Sequence, residues 1–93
     1  MIVSFANKET EKVFRQSASR KLPYSIQKTA LRKLIMINNS KDLNDLRTPP
    51  ANRLEKLSGN REGQYSIRIN DQYRVCFRFE SGDFFDVEIT DYH

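Results

Sequence analysis

The fold is decided by Tyr65-Ser66-Ile67-Arg68-Ile69-Asn70-Asp71-Gln72-Tyr73-Arg74-Val75-Cys76-Phe77-Arg78-Phe79. On both sides of Asn70-Asp71-Gln72, apolar or aromatic residues stand at odd positions and polar or small ones at even positions. That period of two belongs to half-buried strands, and the polar interruption between them belongs to a hairpin turn. Residues paired across a hairpin share a face, so their numbers sum to an even value. The loop Asn70-Asp71-Gln72 meets that condition by setting Ile69 against Tyr73, and hence Arg68 against Arg74. A two-residue loop would set Ile69 against Arg74 and mix core with solvent.

Like charges opposed on one sheet face repel by roughly a few tenths of a kcal/mol or more. A sequence that accepts this repulsion is expected to use the pair, since two adjacent guanidinium forks suit one phosphate group. The alternative is that both splay into water or pair with acids such as Glu88. Beyond the second strand, Glu80-Ser81-Gly82-Asp83 reads as another turn, and Phe85-Asp86-Val87-Glu88-Ile89 alternates again. This third strand returns beside Tyr73–Phe79 and places Glu88 or Thr90 opposite Arg74, depending on loop length. In either register Asp91-Tyr92-His93 emerges near the Asn70 turn, within reach of the arginine pair.

Upstream the pattern is helical. After a short opening strand, Ile2–Phe5, Asn7 caps a first helix over Lys8–Gln16 that buries Val13 and Phe14. Arg20-Lys21-Leu22-Pro23 breaks it. A second helix, Tyr24–Asn38, carries Ile26, Ala30, Leu34 and Ile37 at helical spacing, with Leu31 and Ile35 widening the stripe. Lys28, Arg32 and Lys33 give it a basic flank, either a solvated face or an RNA contact. Ser40–Pro50 reads as a helical turn with Leu43 and Leu46, closed by Pro49-Pro50. Helices first and an antiparallel meander afterwards predict an α+β fold with the helices packed on one sheet face.

At 93 residues the chain is expected to form one domain. With 38% hydrophobic and 30% charged residues it is too apolar for a disordered segment. Its longest apolar run, Leu34-Ile35-Met36-Ile37, is too short to span a bilayer, and charge interrupts the N-terminus too early for a signal peptide, so the cytoplasm is expected. A single cysteine, Cys76, excludes an internal disulfide framework and a multi-thiolate zinc site, and a single histidine, His93, excludes an HExxH site. Sixteen Lys and Arg against twelve Asp and Glu give a formal charge of +4. Such a balance suits a polyanionic partner such as nucleic acid.

Histidine is the side chain whose ordinary pKa, roughly 6.5, suits proton transfer at neutral pH. Beside arginines that hold a phosphate, it forms a minimal apparatus for cutting RNA. The ribose 2′-hydroxyl attacks phosphorus, arginines stabilise the added charge, and an acid protonates the departing 5′-oxygen. Neither a metal nor any other cofactor is expected. Arg61, in the turn Gly59-Asn60-Arg61-Glu62-Gly63, is expected as a second phosphate ligand. Tyr92 is placed to stack on a base or touch a phosphate, or simply to close the sheet end. Cys76, mid-strand on the face of Arg74 and Arg78, fits quiet packing better than nucleophilic chemistry.

The block from Asn52 through Gly59-Asn60-Arg61-Glu62-Gly63 to Tyr73-Arg74-Val75-Cys76-Phe77, with the terminal Asp91-Tyr92-His93, resembles the HigB toxins. These form the plasmid maintenance killer branch of the RelE superfamily of toxin–antitoxin systems, and the resemblance covers essentially the whole chain. It implies a RelE-like fold and an endoribonuclease that enters the ribosomal A site and cuts translated mRNA, inhibiting growth. It also implies neutralisation by a HigA-type helix-turn-helix antitoxin, through which the pair represses its own operator DNA. Family sites carry over onto Arg61, Arg74, Asp91, Tyr92 and His93. Where some relatives have a second histidine this chain has Glu55, and where they have a lysine it has Ser58, with Lys56 nearby. The base is therefore Glu55 or Asp91, or the reaction relies on electrostatics and substrate positioning. The candidate catalytic residues are His93, Asp91, Tyr92, Arg74 and Glu55. The candidate RNA contacts are Arg61, Arg68, Arg78, Lys56, Lys28 and Arg32.

Overall fold

The computed structural model describes residues 1–92. Helix α1 spans Lys8–Phe14 and α2 spans Tyr24–Asn39, followed by the strands β1 (Glu55–Lys56), β2 (Tyr65–Arg68), β3 (Tyr73–Glu80) and β4 (Asp83–Asp91). The strands form one antiparallel sheet in the order β1-β2-β3-β4. This is the α+β arrangement that the period change predicts.

Helix α1 begins where Asn7 Oδ1 accepts the Thr10 backbone N–H at 2.9 Å, with Glu9 and Glu11 in the first turn against the positive helix end. It stops two residues before its expected end, because Gln16 turns to a left-handed φ of 64°. On α2 the expected stripe of Ile26, Ala30, Leu34 and Ile37 is buried. Leu31 packs against the edge of the core, but Ile35 is exposed: it lies on the far side of α2 from the sheet. The stripe is therefore narrower than the sequence suggests.

The core is a single cluster in which α1 and α2 meet Ile67, Ile69, Val75 and Phe77 on one sheet face. Thr10, fully buried on α1, binds this layer to the sheet by accepting the Ile89 backbone N–H on Oγ1 at 2.9 Å. Ile2–Phe5 makes only two isolated parallel bridges, Ile2 to Phe84 and Phe5 to Val87, in place of a full strand.

The first hairpin has the expected register: Arg68 pairs with Arg74, and the Ile69 N–H donates to the Tyr73 carbonyl at 2.9 Å. The second hairpin differs from expectation. Glu80 pairs with Asp83 across a two-residue turn, Ser81-Gly82, with φ of 51° and 87° at its two corners. Positive φ at both positions matches the twist of a tight hairpin, and Gly82 supplies it without strain. Phe84, not Phe85, consequently faces the core. A bulge between Cys76 and Arg78, with Asp86 at φ 53°, then inserts one residue and restores the alternation. Val87 and Ile89 return inward, and Thr90 comes to stand opposite Arg74. Among the described residues no helix is long and apolar enough to cross a membrane.

Candidate active site

The sheet face away from the helices gathers residues distant in sequence into one cross-strand row. Glu55 faces Ser66, Ser66 faces Cys76, and Cys76 faces Glu88. The two small residues in the middle leave room for a long side chain, and Arg74 fills it from the adjacent row. Its Nε donates to Ser66 Oγ at 2.7 Å, and its Nη2 donates to the Arg53 carbonyl at 2.6 Å. Nη1 remains turned toward Glu55, with a carboxylate oxygen 3.7 Å away. The Tyr92 ring lies 5.9 Å from the guanidinium carbon, a cation–π distance. Held on three sides and only 9% exposed, this guanidinium presents one preorganised edge.

Arg61 is delivered by the turn after Ser58, where Gly59 adopts a φ of 64° that disfavours any side chain. Its Nη1 donates to Gln64 Oε1 at 3.0 Å and to Glu88 Oε1 at 3.2 Å. The acid expected as a partner for the opposed arginines is thus held by Arg61. Cys76 lies fully buried beneath these groups. Burial pushes its thiol above the ordinary 9.0, against the opposing pull of the Thr90 hydrogen bond and the Arg61 charge. A buried, protonated thiol is a packing residue, as the sequence suggests.

The tail of the described chain is anchored. The Tyr92 N–H donates to the Gln72 carbonyl at 2.7 Å, and Gln72 Nε2 donates to Asp91 at 3.0 Å. Asp91, Tyr92 and the Asn70 turn therefore come together as expected. His93 lies outside the described residues.

The remaining candidates fall elsewhere. Arg68 opposes Arg74 in register, but its side chain pairs with Asp71 and lines a groove shared with Arg32, so the two forks hold separate partners. Arg78, further along β3, is bound by two acids, Asp86 at 2.9 Å and Glu80 at 3.2 Å, and packs on Phe85. Lys56 is exposed on the short edge strand β1. Lys28 and Arg32 sit on α2, on the side of the sheet opposite Arg74, with Arg32 donating to Thr29 Oγ1 at 3.2 Å. Glu88, Ser66 and Gln72 prove to be the groups that fix the arginines and the tail. The clue to Ser66 is its smallness in a strand of large alternating residues. Nothing in the sequence marks the Arg53 carbonyl, which reaches Arg74 because Arg53 adopts a φ of 46°.

A family model described as the RelE-like toxin of the type II toxin–antitoxin system HigB matches residues 3–93. The chain is 46% identical over 63 residues to an uncharacterised Haemophilus influenzae protein, an alignment covering 68% of this chain and 62% of that protein. It is 39% identical to Toxin HigB-1 of Vibrio cholerae, over 88% of this chain and 87% of that one. It is 28% identical to Endoribonuclease HigB of Proteus vulgaris, over the full length of both. Among solved structures, the YoeB–YefM complex from Staphylococcus aureus contains a chain of the same fold, with a TM-score of 0.61 at 24% identity, covering 100% of this chain and 95% of that one.

Proposed function

The chain belongs to the family of RelE-like toxins of HigB type II toxin–antitoxin systems, and from that premise we propose that it is an endoribonuclease cutting mRNA in the A site of the translating ribosome. The observation that carries this reading is the Arg74 guanidinium, locked by Ser66 and the Arg53 carbonyl, with its remaining edge between Glu55 and Tyr92. Such a group fits the developing charge of a phosphorane and costs no reorganisation when the charge appears.

In the proposed reaction, the scissile phosphate sits on Arg74 Nη1 and draws Arg61 from Glu88. Glu55, the carboxylate beside Arg74, takes the proton of the ribose 2′-hydroxyl. The 2′-oxygen bonds to phosphorus and the bond to the 5′-oxygen breaks, while His93 as imidazolium gives its proton to that leaving oxygen. The products are a 2′,3′-cyclic phosphate and a free 5′-hydroxyl. Tyr92 offers a ring for the flanking base, and Asp91 holds the tail through Gln72. A HigA-type helix-turn-helix antitoxin encoded beside the toxin gene neutralises it in the cytoplasm. Operator DNA is reached only through that partner.

Addition of the protein to a translating extract tests the proposal. Discrete new mRNA 5′ ends that vanish when ribosomes are removed are the expected result. Binding to ribosomes without new ends would make the chain a non-catalytic RNA-binding module. If Asp91→Asn abolishes cutting and Glu55→Gln does not, the base is Asp91.

A further inference from the structure

The chain's positive charge is concentrated in one segment. Residues 12–41 contain eight Lys or Arg and no Asp or Glu, so the remainder of the chain, with eight cations and twelve acids, is net negative. Three long cations meet in a groove of about 310 Å³ between α2 and the turn at Pro49: Arg32, Lys33 and Arg68. Each is held in place. Arg32 donates to Thr29, Lys33 Nζ donates to Asn52 Oδ1 at 2.6 Å, and Arg68 pairs with Asp71. Asn52 is itself fully buried and fixed by a bond to the Leu46 carbonyl at 3.1 Å, so the amine it positions is not free to drift.

We infer that this groove is a second nucleotide subsite, which holds an RNA phosphate next to the one that is cut. The proposal rests on the ribonuclease reading above and adds a place for the flanking strand. Among the described residues no acid lines the groove, and the one carboxylate reaching into the cluster, Asp71, is almost wholly exposed and readily displaced. Met36, Pro49 and Ile69 give the groove an apolar wall against which a base or ribose packs. Burial, with the charges of Arg32 and Arg68 adding to it, pushes the Lys33 amine below its usual range, and an anion in the groove would offset the part due to those charges.

Topology links the groove to the cutting face. Strand β1 pairs only with Tyr65 and Ser66, so the Arg68 end of β2 has no strand beyond it and is flanked by the Pro50–Asn52 turn. Arg68 stands opposite Arg74 across β2 and β3, with Cα atoms about 5 Å apart. An RNA strand with its scissile phosphate at Arg74 therefore passes around that edge onto Arg68, Lys33 and Arg32.

Titration of an uncuttable 2′-O-methyl RNA tetranucleotide into the isotope-labelled full chain tests the subsite. The guanidinium N–H signals of Arg32 and Arg68 are expected to move. Arg32→Gln should weaken binding about threefold to tenfold and lower the slope of log Kd against log salt by about 0.7, the value of one single-strand phosphate contact. Arg32→Lys should restore most of that slope. If the Arg32 and Arg68 signals stay still while those of Arg61 or Arg74 move, the subsite is overturned and the ribonuclease reading stands. Silence from all four arginines, in a protein that cuts mRNA on ribosomes, overturns it equally. Unchanged RNA affinity in Arg32→Gln together with weakened antitoxin binding makes the surface a protein interface and also ends the proposal. Failure of the ribonuclease reading shows separately, as an absence of new mRNA ends in the translating extract.

Discussion

The two faces of one sheet have opposite uses. Toward the helices, β2 and β3 present Ile67, Val75 and Phe77, all fully buried in the core cluster. Away from them, alternate residues of the same strands present Ser66, Arg74 and Cys76, joined by Glu55 and Glu88 from neighbouring strands and by Tyr92 just beyond β4. The first face is held by contact area, which tolerates approximate shape but not lost volume. The second is held by directed bonds, which fix Arg74 through Nε and Nη2 and Arg61 through Nη1. Damage to the first face should therefore appear as stability, and damage to the second as rate.

Substitutions on the polar side are the sharpest way to break this contrast. Arg74→Gln removes the preorganised cation, and His93→Gln removes the proposed proton donor. Each should reduce single-turnover cleavage by about a hundredfold to a thousandfold, in a protein whose circular dichroism is unchanged. A His93→Gln protein that cuts at the parental rate would remove the tail from the mechanism. Phe77→Ala probes the opposite face. It should cost about 3–5 kcal/mol of stability in denaturant titration while cleavage per folded molecule stays near the parental value. A specific rate that falls as steeply as in Arg74→Gln would show that the two faces are coupled.

Glu88→Gln sharpens the comparison within the polar face. Glu88 holds Arg61 in the unliganded protein but pairs with nothing in the proposed transition state. Removing its charge frees Arg61 for the phosphate at the expense of orientation. Exposed and half-exposed ion pairs contribute roughly 0–1 kcal/mol, so cleavage is expected to change by no more than about fivefold in either direction. A loss as large as that of Arg74→Gln would make Glu88 a participant in the chemistry.

Much of this division was legible in the chain because a sheet has a period of two. Odd positions from Tyr65 to Phe79 gave the packed face, and the even-sum condition gave the Arg68–Arg74 pairing observed. The reading failed where periodicity is silent. Strict alternation counted backward from Val87 puts Phe85 on the inward face. The bulge at Asp86 inserts a residue, and Phe84 faces the core instead. It also inferred from register that the paired arginines would share a partner. Backbone pairing fixes Cα positions, but a guanidinium several bonds away goes to the best acceptor in reach. That was Asp71 for Arg68, and Ser66 with the Arg53 carbonyl for Arg74. The role of Glu88 escaped for the same reason: the turn that delivers Arg61 is set by a left-handed Gly59, and its reach is a matter of three dimensions.

Cys76 offers the mildest test, because it sits on the polar face yet behaves like the buried one. Its folded thiol is held above the ordinary value of 9.0, chiefly by burial. The folded form therefore disfavours the thiolate, and the contribution of Cys76 is complete below about pH 8.5 and lost as pH rises through the folded value. Wild type and Cys76→Ala should accordingly show a constant difference in Tm up to that point, with the wild type losing ground only at higher pH. Cleavage near neutral pH should be the same for both, since a protonated thiol neither attacks phosphorus nor abstracts a proton. A Cys76→Ala protein with an altered pH–rate profile below pH 8 would instead place the thiol among the reacting groups. The boundary between the packing face and the chemical face would then have to be redrawn through the middle of β3.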